Sequence, residues 1–369
     1  MSFIYVGLGF MAFLAASTLA IDVGMFMTAR SQAQTSADAG ALAGATALAF
    51  NDYDDRSAGG PAVQAAITTA QQNAIMAGTP SVTVPDITFP LGPTGLDNRV
   101  RVNVFRTAPR SNPLPTLIGP IFGVPTVDIS ATATAEAAPA NAMTCVKPFT
   151  IPDRWEEVGD PPWTVDSSFE RYHNKGRLLK DPDRYIKPGQ SGYQGYNMYD
   201  DVGALLTIRA GTGNNISPSM YWSWKMPGGT GGDYYRDNIA NCNQATFGMG
   251  FEMTQEPGNM VGPTMQGIDD LLAKDPDAYW DATTNSVKSS INPSPRVFPI
   301  PLYDPDEYDK GKETGRNATL IMTNWIGFFL EGRSGNDVYG RITPIRGVID
   351  PNLPQAPEDA FPRAIRLVE

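Results

Sequence analysis

The groups with the clearest chemical potential in this chain are carboxylates. Asp269 with Asp270, and Asp304 with Glu307, could act as paired acid and base in a hydrolase, although such pairs are also common on solvated surfaces. The pattern Asp-Pro-Asp-x-Tyr occurs three times, at Asp181 to Tyr185, Asp275 to Tyr279 and Asp304 to Tyr308. In each, Asp can accept the free N–H groups of a turn or helix start and Pro fixes the first φ, which reads as a cap or turn. The third copy also gathers oxygen donors suited to a hard cation, so Asp304, Asp306 and Asp309 are weak calcium candidates, without EF-hand or nonapeptide spacing. No other cofactor is expected. With His173 the only histidine, only constellations that need one imidazole or none remain.

Aromatic clusters at Tyr193, Tyr196 and Tyr199 and at Tyr221, Trp222 and Trp224 could stack on sugar rings or line a core or subunit contact. Gly228 to Gly232 lacks the Lys-Ser/Thr of a phosphate loop and reads as a flexible loop, and Asn317-Ala318-Thr319 matches a glycosylation sequon. None of these forms a catalytic set, and the chain reads as a non-enzyme. A net charge of −11 with no basic cluster argues against nucleic acid. Cys145 and Cys242 are compatible with one disulfide in an oxidising compartment, or with two buried free thiols.

The strongest physical signal lies at the start of the chain. From Phe3 to Ile21 there is no charged residue, about the length of a helix crossing a ~30 Å hydrocarbon core. The segment predicts a transmembrane anchor, with lipid around it before assembly and the bulk periplasmic or extracellular. Asp22 follows and is expected near an interface or against a partner charge. Residues 28 to 50, Ala-rich and free of Pro, extend the helix to a length of ~75 Å, too long to lie wholly in a membrane. Small residues at Ala33, Ala37, Gly40, Ala41, Gly44, Ala45 and Ala47 form a face for close helix approach, within the subunit or between subunits.

The run Leu19-Ala20-Ile21-Asp22-Val23-Gly24, then Ala29-Arg30-Ser31-Gln32-Ala33-Gln34, then Ala37-Asp38-Ala39-Gly40-Ala41-Leu42-Ala43-Gly44-Ala45, resembles the N-terminal signature of TadE/TadG-like proteins of the tight-adherence (Tad/Flp) pilus system. The resemblance implies a pilin-like or pseudopilin-like membrane protein. Family members usually carry a short basic lead ending in Gly, so Met1 reads as a processed or trimmed end. Type IV pilins place Glu at the fifth mature position, where this chain has Tyr5, and the Asp-x-Ser-x-Ser metal site of larger members is missing from the sequence. The assembly helix is assigned to Phe3, Tyr5, Phe10, Phe13, Leu14, Asp22, Gly24, Ala37, Gly40 and Gly44. Its partners are other pilus subunits or copies of the same chain.

The expected fold is α+β: a long pilin-like N-terminal helix packed on a small antiparallel sheet, followed by a β-rich, loop-rich C-terminal domain. The divisions are 1–52 for the apolar helix, 53–138 for the α+β unit packed on it, and 139–369 for the β-rich domain. Pro61 suits the start of a helix to Met76. Strands are expected from Val82 to Phe89, Arg99 to Arg106 and Val127 to Ala135, with a short helix from Leu114 to Phe122. Residues 137 to 142 read as a linker. Segment 145 to 155 (CVKPFTIPDRW) again resembles a stretch of some TadE/TadG-like proteins, where Cys-x-x-Pro opens the C-terminal domain. Beyond it, strands are expected at Ala204 to Ala210, Thr246 to Met253, Arg296 to Leu302, Ala318 to Gly332, Tyr339 to Ile349 and Ile365 to Val368, with a helix at Thr264 to Ala273. A minor pilin or pseudopilin-like subunit of a Tad/Flp-type filament is the reading this supports. The alternatives are a pilus-tip adhesin for surface glycans and a membrane-anchored hydrolase.

Overall fold

The computed structural model describes residues 2–51, 55–92, 95–159, 161–173, 176–198, 200–211, 215–311, 320–358 and 360–368, with the backbone alone at 2, 12, 14–19 and 122. The chain is α+β, and it forms two compact units, Met1–Ala138 with Ile365–Glu369, and Pro139–Ala364.

In the first unit a single helix, α1 (Ser2–Phe50), runs without interruption because no Pro breaks it. Its second half packs on α2 (Pro61–Gln72), which Pro61 opens at the first helical position. Both lie on strands β1 (Ile87–Thr88) and β2 (Arg99–Arg106). Val100, Val102 and Val104 alternate inward from β2, as a half-buried strand requires. A short pair follows, β3 (Leu114–Pro115) with β4 (Thr126–Val127), and then β5 (Ile129–Pro139), antiparallel to β2 with Val102 opposite Ala133. The core is made largely of alanine, so it depends on close backbone approach more than on bulky side chains. A Cβ at Gly40 would lie 2.9 Å from Ala70 Cβ and 3.0 Å from the Ala66 carbonyl oxygen, and one at Gly44 would lie 2.8 Å from Val100 Cγ1. The small-residue face of α1 is therefore occupied within the subunit, with Ala37, Gly40 and Gly44 buried.

Two expectations for this unit fail for local reasons. Pro85 turns Val84–Asp86 into a 3-10 turn, capped when Asp86 accepts the Thr83 N–H at 2.8 Å, and only Ile87–Thr88 is left as strand. Pro115 and Pro120 prevent a helix between Leu114 and Phe122; a strand and a 3-10 turn (Gly119–Phe122) replace it.

The second unit begins with β6 (Ala142–Met143), and residues 137–142, whose composition reads as a linker, are buried. Its centre is a closed barrel of six strands: β7 (Phe149–Pro152), β8 (Leu205–Ala210), β9 (Met220–Ser223), β14 (Val297–Tyr303), β15 (Leu320–Ser334) and β16 (Asp337–Thr343). The hydrogen-bonded order is β15-β14-β7-β9-β8-β16, and β16 returns to β15 with Phe328 opposite Ile342. Closure removes the open edges a flat sheet would leave. Around it are β10 (Phe247–Gly248), β11 (Glu252–Met253), the hairpin of β12 (Tyr279–Asp281) and β13 (Ser286–Lys288), and β17 (Ile345–Arg346), while β18 (Pro362–Val368) begins in this unit and ends in the first. Helices α3 (Gly232–Ala240), α4 (Val261–Lys274) and α5 (Pro305–Gly311) complete the unit. Phe149, Phe298, Phe328 and Tyr221 form an aromatic cluster, with ring centroids 5.5–6.1 Å apart. The segment between β7 and β8 has no regular element but is fastened by buried acids. Asp153 accepts the hydroxyls of Tyr185 and Tyr193, each at 2.9 Å, and burial pushes its pKa up to about 6. Cys145 and Cys242 are joined in a disulfide.

Candidate assembly face

The first half of α1 exposes a run of large apolar side chains. Phe3 is 93% exposed and Tyr5 70%; Ile4, Val6, Leu8, Phe10, Met11 and Phe13 are also exposed. Leu14 has no described side chain. Further along the same helix Ile21, Val23 and Met27 face outward, with open space around Gly24. Exposed apolar area of this extent marks a contact site in a folded protein.

Asp22 lies among these residues but is itself buried. Its carboxylate accepts three backbone N–H groups, from Leu117 at 3.0 Å, Ile118 at 3.2 Å and Gly119 at 3.1 Å. An anion held by successive amides needs no charged partner from another chain. The loop so held is also tied internally, Thr116 Oγ1 donating to the Val124 carbonyl at 2.6 Å. A Cβ at Gly119 would overlap both the Val124 carbonyl oxygen and the Thr116 hydroxyl, so glycine is required where the loop closes. With its backbone turned inward, the loop exposes Leu117 (67%), Ile121 (79%) and Val124. Sequence reasoning missed these residues by reading them as a helix; the signal was an uncharged stretch, 111–127, too rich in Pro to be one.

The remaining candidates have other roles. Asp269 pairs with Arg333 and Asp270 with Arg236, so the two carboxylates do not converge. Asp304 caps α5 through the N–H groups of Asp306 and Glu307 and meets Lys187 Nζ at 3.0 Å; Asp306 pairs with Arg171, and Asp309 accepts the N–H groups of Arg171 and Tyr172. Among the described residues no group of three or more His, Cys, Asp or Glu is placed to hold a metal. Tyr196, Tyr221 and Trp224 are buried, Trp222 is half-buried with its ring 5.9 Å from that of Tyr308, and Tyr193 bonds to Asp153, so these rings do not form an open stacking platform. Tyr199 and the Asn317 sequon lie outside the described residues. A groove of about 390 Å³ in the first unit is lined by Gln34, Asp38, Arg101, Thr132, Thr134 and Leu367, with no catalytic pair in it.

Among the described residues, no helix is long and apolar enough to cross a membrane. This overturns the expected transmembrane helix, and with it the membrane-anchored localisation. The physical reason is visible along α1. Asp22 is engaged by the loop, and from Ala29 onward one face is buried in protein.

Residues 2–47 match a family model described as Flp pilus-assembly TadE/G-like, and residues 26–135 match one described as Tad-like Flp pilus-assembly. The N-terminal region is TadE/TadG-like. The matched span takes in α1, Asp22, the loop that Asp22 holds, α2 and most of β5. Both descriptions concern pilus assembly, in agreement with the reading of the chain as a non-enzyme. The Tad-like match ends at residue 135, short of the Cys145 segment and the barrel. No curated protein and no solved structure matches the chain.

Proposed function

We propose that this chain is a structural subunit of a Tad/Flp-type pilus or a related extracellular filament, joined to other subunits by the first half of α1 and carrying the barrel as its outer domain. The observation that carries the reading is the exposed apolar side chains of Phe3, Ile4, Tyr5, Val6, Leu8, Phe10 and Met11, within the TadE/TadG-like region. Fully exposed aromatics are unfavourable in water by about 25 cal/mol per Å², and other subunits provide the apolar cover. The occupied states of Asp269, Asp270 and Asp304 favour this over a hydrolase, and the burial of Tyr196, Tyr221 and Trp224 favours it over a glycan adhesin built on those rings. The test is mass spectrometry of filaments sheared from producing cells. The chain is expected as a repeating component, lost when Phe10→Asp places a charge on the helix. Recovery in the cell fraction alone, with none in sheared polymer, overturns the reading.

A further inference from the structure

The disulfide of the second unit is unevenly placed between solvent and core. Cys242 is exposed in the segment that follows α3, whereas Cys145 is half-buried and leads into the buried residues Val146 and Lys147. Gln244 Nε2 donates to Cys242 Sγ at 3.2 Å, drawing charge from the sulfur of the exposed residue. The exposed neighbours Asn241 and Gln244 are polar, which suits a small hydrophilic reagent. Lys147 is a second and independent observation. It is 3% exposed, and its ammonium forms no ion pair among the described residues. It donates to the Ile239 carbonyl at 2.6 Å and to the carbonyl of Asn241, the residue before Cys242, at 2.9 Å, and lies 5.4 Å from the Phe298 ring centroid. Burial, and then the charge of Lys274, push its pKa down to about 7. A buried cation among carbonyls, a ring and another cation lacks a counter-charge. Opening of the neighbouring disulfide, with the charge left on Cys145, would supply one.

From this arrangement we infer that the disulfide is a site of thiol exchange, in which a small hydrophilic thiolate attacks Cys242 Sγ and Cys145 is the leaving group. The bond between Cys242 and Cys145 breaks as a new disulfide forms between Cys242 and the incoming sulfur. The electron pair of the broken bond goes to Cys145, so one thiolate is consumed, one is released and no outside oxidant or reductant is needed. Lys147 acts on this step by stabilising the departing thiolate, since a leaving thiol of lower pKa departs faster. The two cysteines remain neighbours once the bond is open. The Cys145 N–H donates to the Asn243 carbonyl at 3.0 Å, and Met143 stays opposite Phe247 in the pairing of β6 with β10. Cys145 can therefore attack the mixed disulfide in turn and expel the added thiol, which makes the modification reversible.

The experiment uses the full, folded and oxidised chain. It is incubated with reduced glutathione, quenched with excess iodoacetamide, digested without reduction and mapped by mass spectrometry. Glutathione is expected on Cys242 on the order of tenfold more often than on Cys145, the ratio produced by about 1.4 kcal/mol between the two routes, with the alkyl group on Cys145 of the same molecules. Adducts divided equally between the two sulfurs, or formed only after the chain is unfolded in urea, overturn the assignment. Among variants that keep their near-ultraviolet circular dichroism, Lys147→Gln is expected to slow adduct formation severalfold and Lys274→Gln to leave it near the unsubstituted rate. Equal rates in all three chains remove Lys147 from the step.

Discussion

Asp22→Ala removes the acceptor that holds residues 117–119. The carboxylate takes one bond from the buried N–H of Gly119 and two from the part-buried N–H groups of Leu117 and Ile118. A hydrogen bond to a charged group contributes about 1.5–3 kcal/mol when buried, and water replaces much of that at partly exposed sites. Taking the two part-buried bonds at about 0.5 kcal/mol each, the loss is about 2.5–4 kcal/mol. Because Asp22 and the loop meet at one place, the loss should fall first on local opening of residues 116–125 and only then on the whole unit. Hydrogen exchange reads this directly: the amides of 117–119 are expected to exchange about 100-fold faster or more in the variant. Asp22→Asn, which keeps an acceptor and loses the charge, should fall between. Asp38→Ala is the control, since that carboxylate accepts a bond from Gln34 on the exposed side of the same helix, and the loop amides should not respond. Unchanged exchange at 117–119 in Asp22→Ala would refute the clamp.

Gly40→Val should destabilise the first unit by about 1–3 kcal/mol in urea titrations, because its side chain enters the contact with Ala66 and Ala70, whereas Gly24→Ala, with open space around it, should be neutral or stabilise by up to about 1 kcal/mol. Asp153 has a folded pKa raised to about 6, so the folded state binds the extra proton between about pH 4 and 6 and stability falls as pH rises through that window. Asp153→Asn should flatten this slope, a difference on the order of 3 kcal/mol across the window by denaturant titration; an unchanged slope would show that the carboxylate is not the source. Replacing both Cys145 and Cys242 by Ser opens a cross-link between residues 97 apart, and should lower stability of the second unit by up to about 4–5 kcal/mol on a chain-entropy view, measured in the same way.

Where burial on one face alternated with exposure on the other, the pattern was legible. β2 could be bounded at Arg99 and Arg106 because its valines keep period two, and α2 could be started at Pro61 from a known preference. The barrel's closure could not be read in this way. β15 is buried on both faces from Met322 to Leu330, so it has no alternation to show, and the parallel pairing of β14 with β7 joins Leu302 to Ile151, far apart in sequence. α3 was missed because Gly231 and Gly232 at its start look like loop. The partner of Asp22 lies 95 residues away, and nothing local announces three amides turned toward a carboxylate. The membrane expectation failed on a related point. A charge-free run states that something apolar covers it, and the pattern alone does not name the cover.

The end of the family match and the layout of the contacts bear on each other. The match stops at residue 135, and the first compact unit stops at Ala138, so likeness to pilus-assembly proteins follows a physical boundary. That unit then takes up the chain again at residues 365–369, so the barrel unit is inserted between β5 and β18, which are neighbours in the sheet order. An insertion returning beside its point of departure can be large without disturbing the strands that flank it, since each doubling of a loop's length adds only about 0.6 kcal/mol of closure entropy. The inserted unit brings its own core, with Trp155, Trp224 and Trp325 fully buried, and its own cross-link. Substitutions in the barrel core should leave the hold of Asp22 on residues 117–119 unchanged, and those amides should exchange at the unsubstituted chain's rate when the barrel has been destabilised.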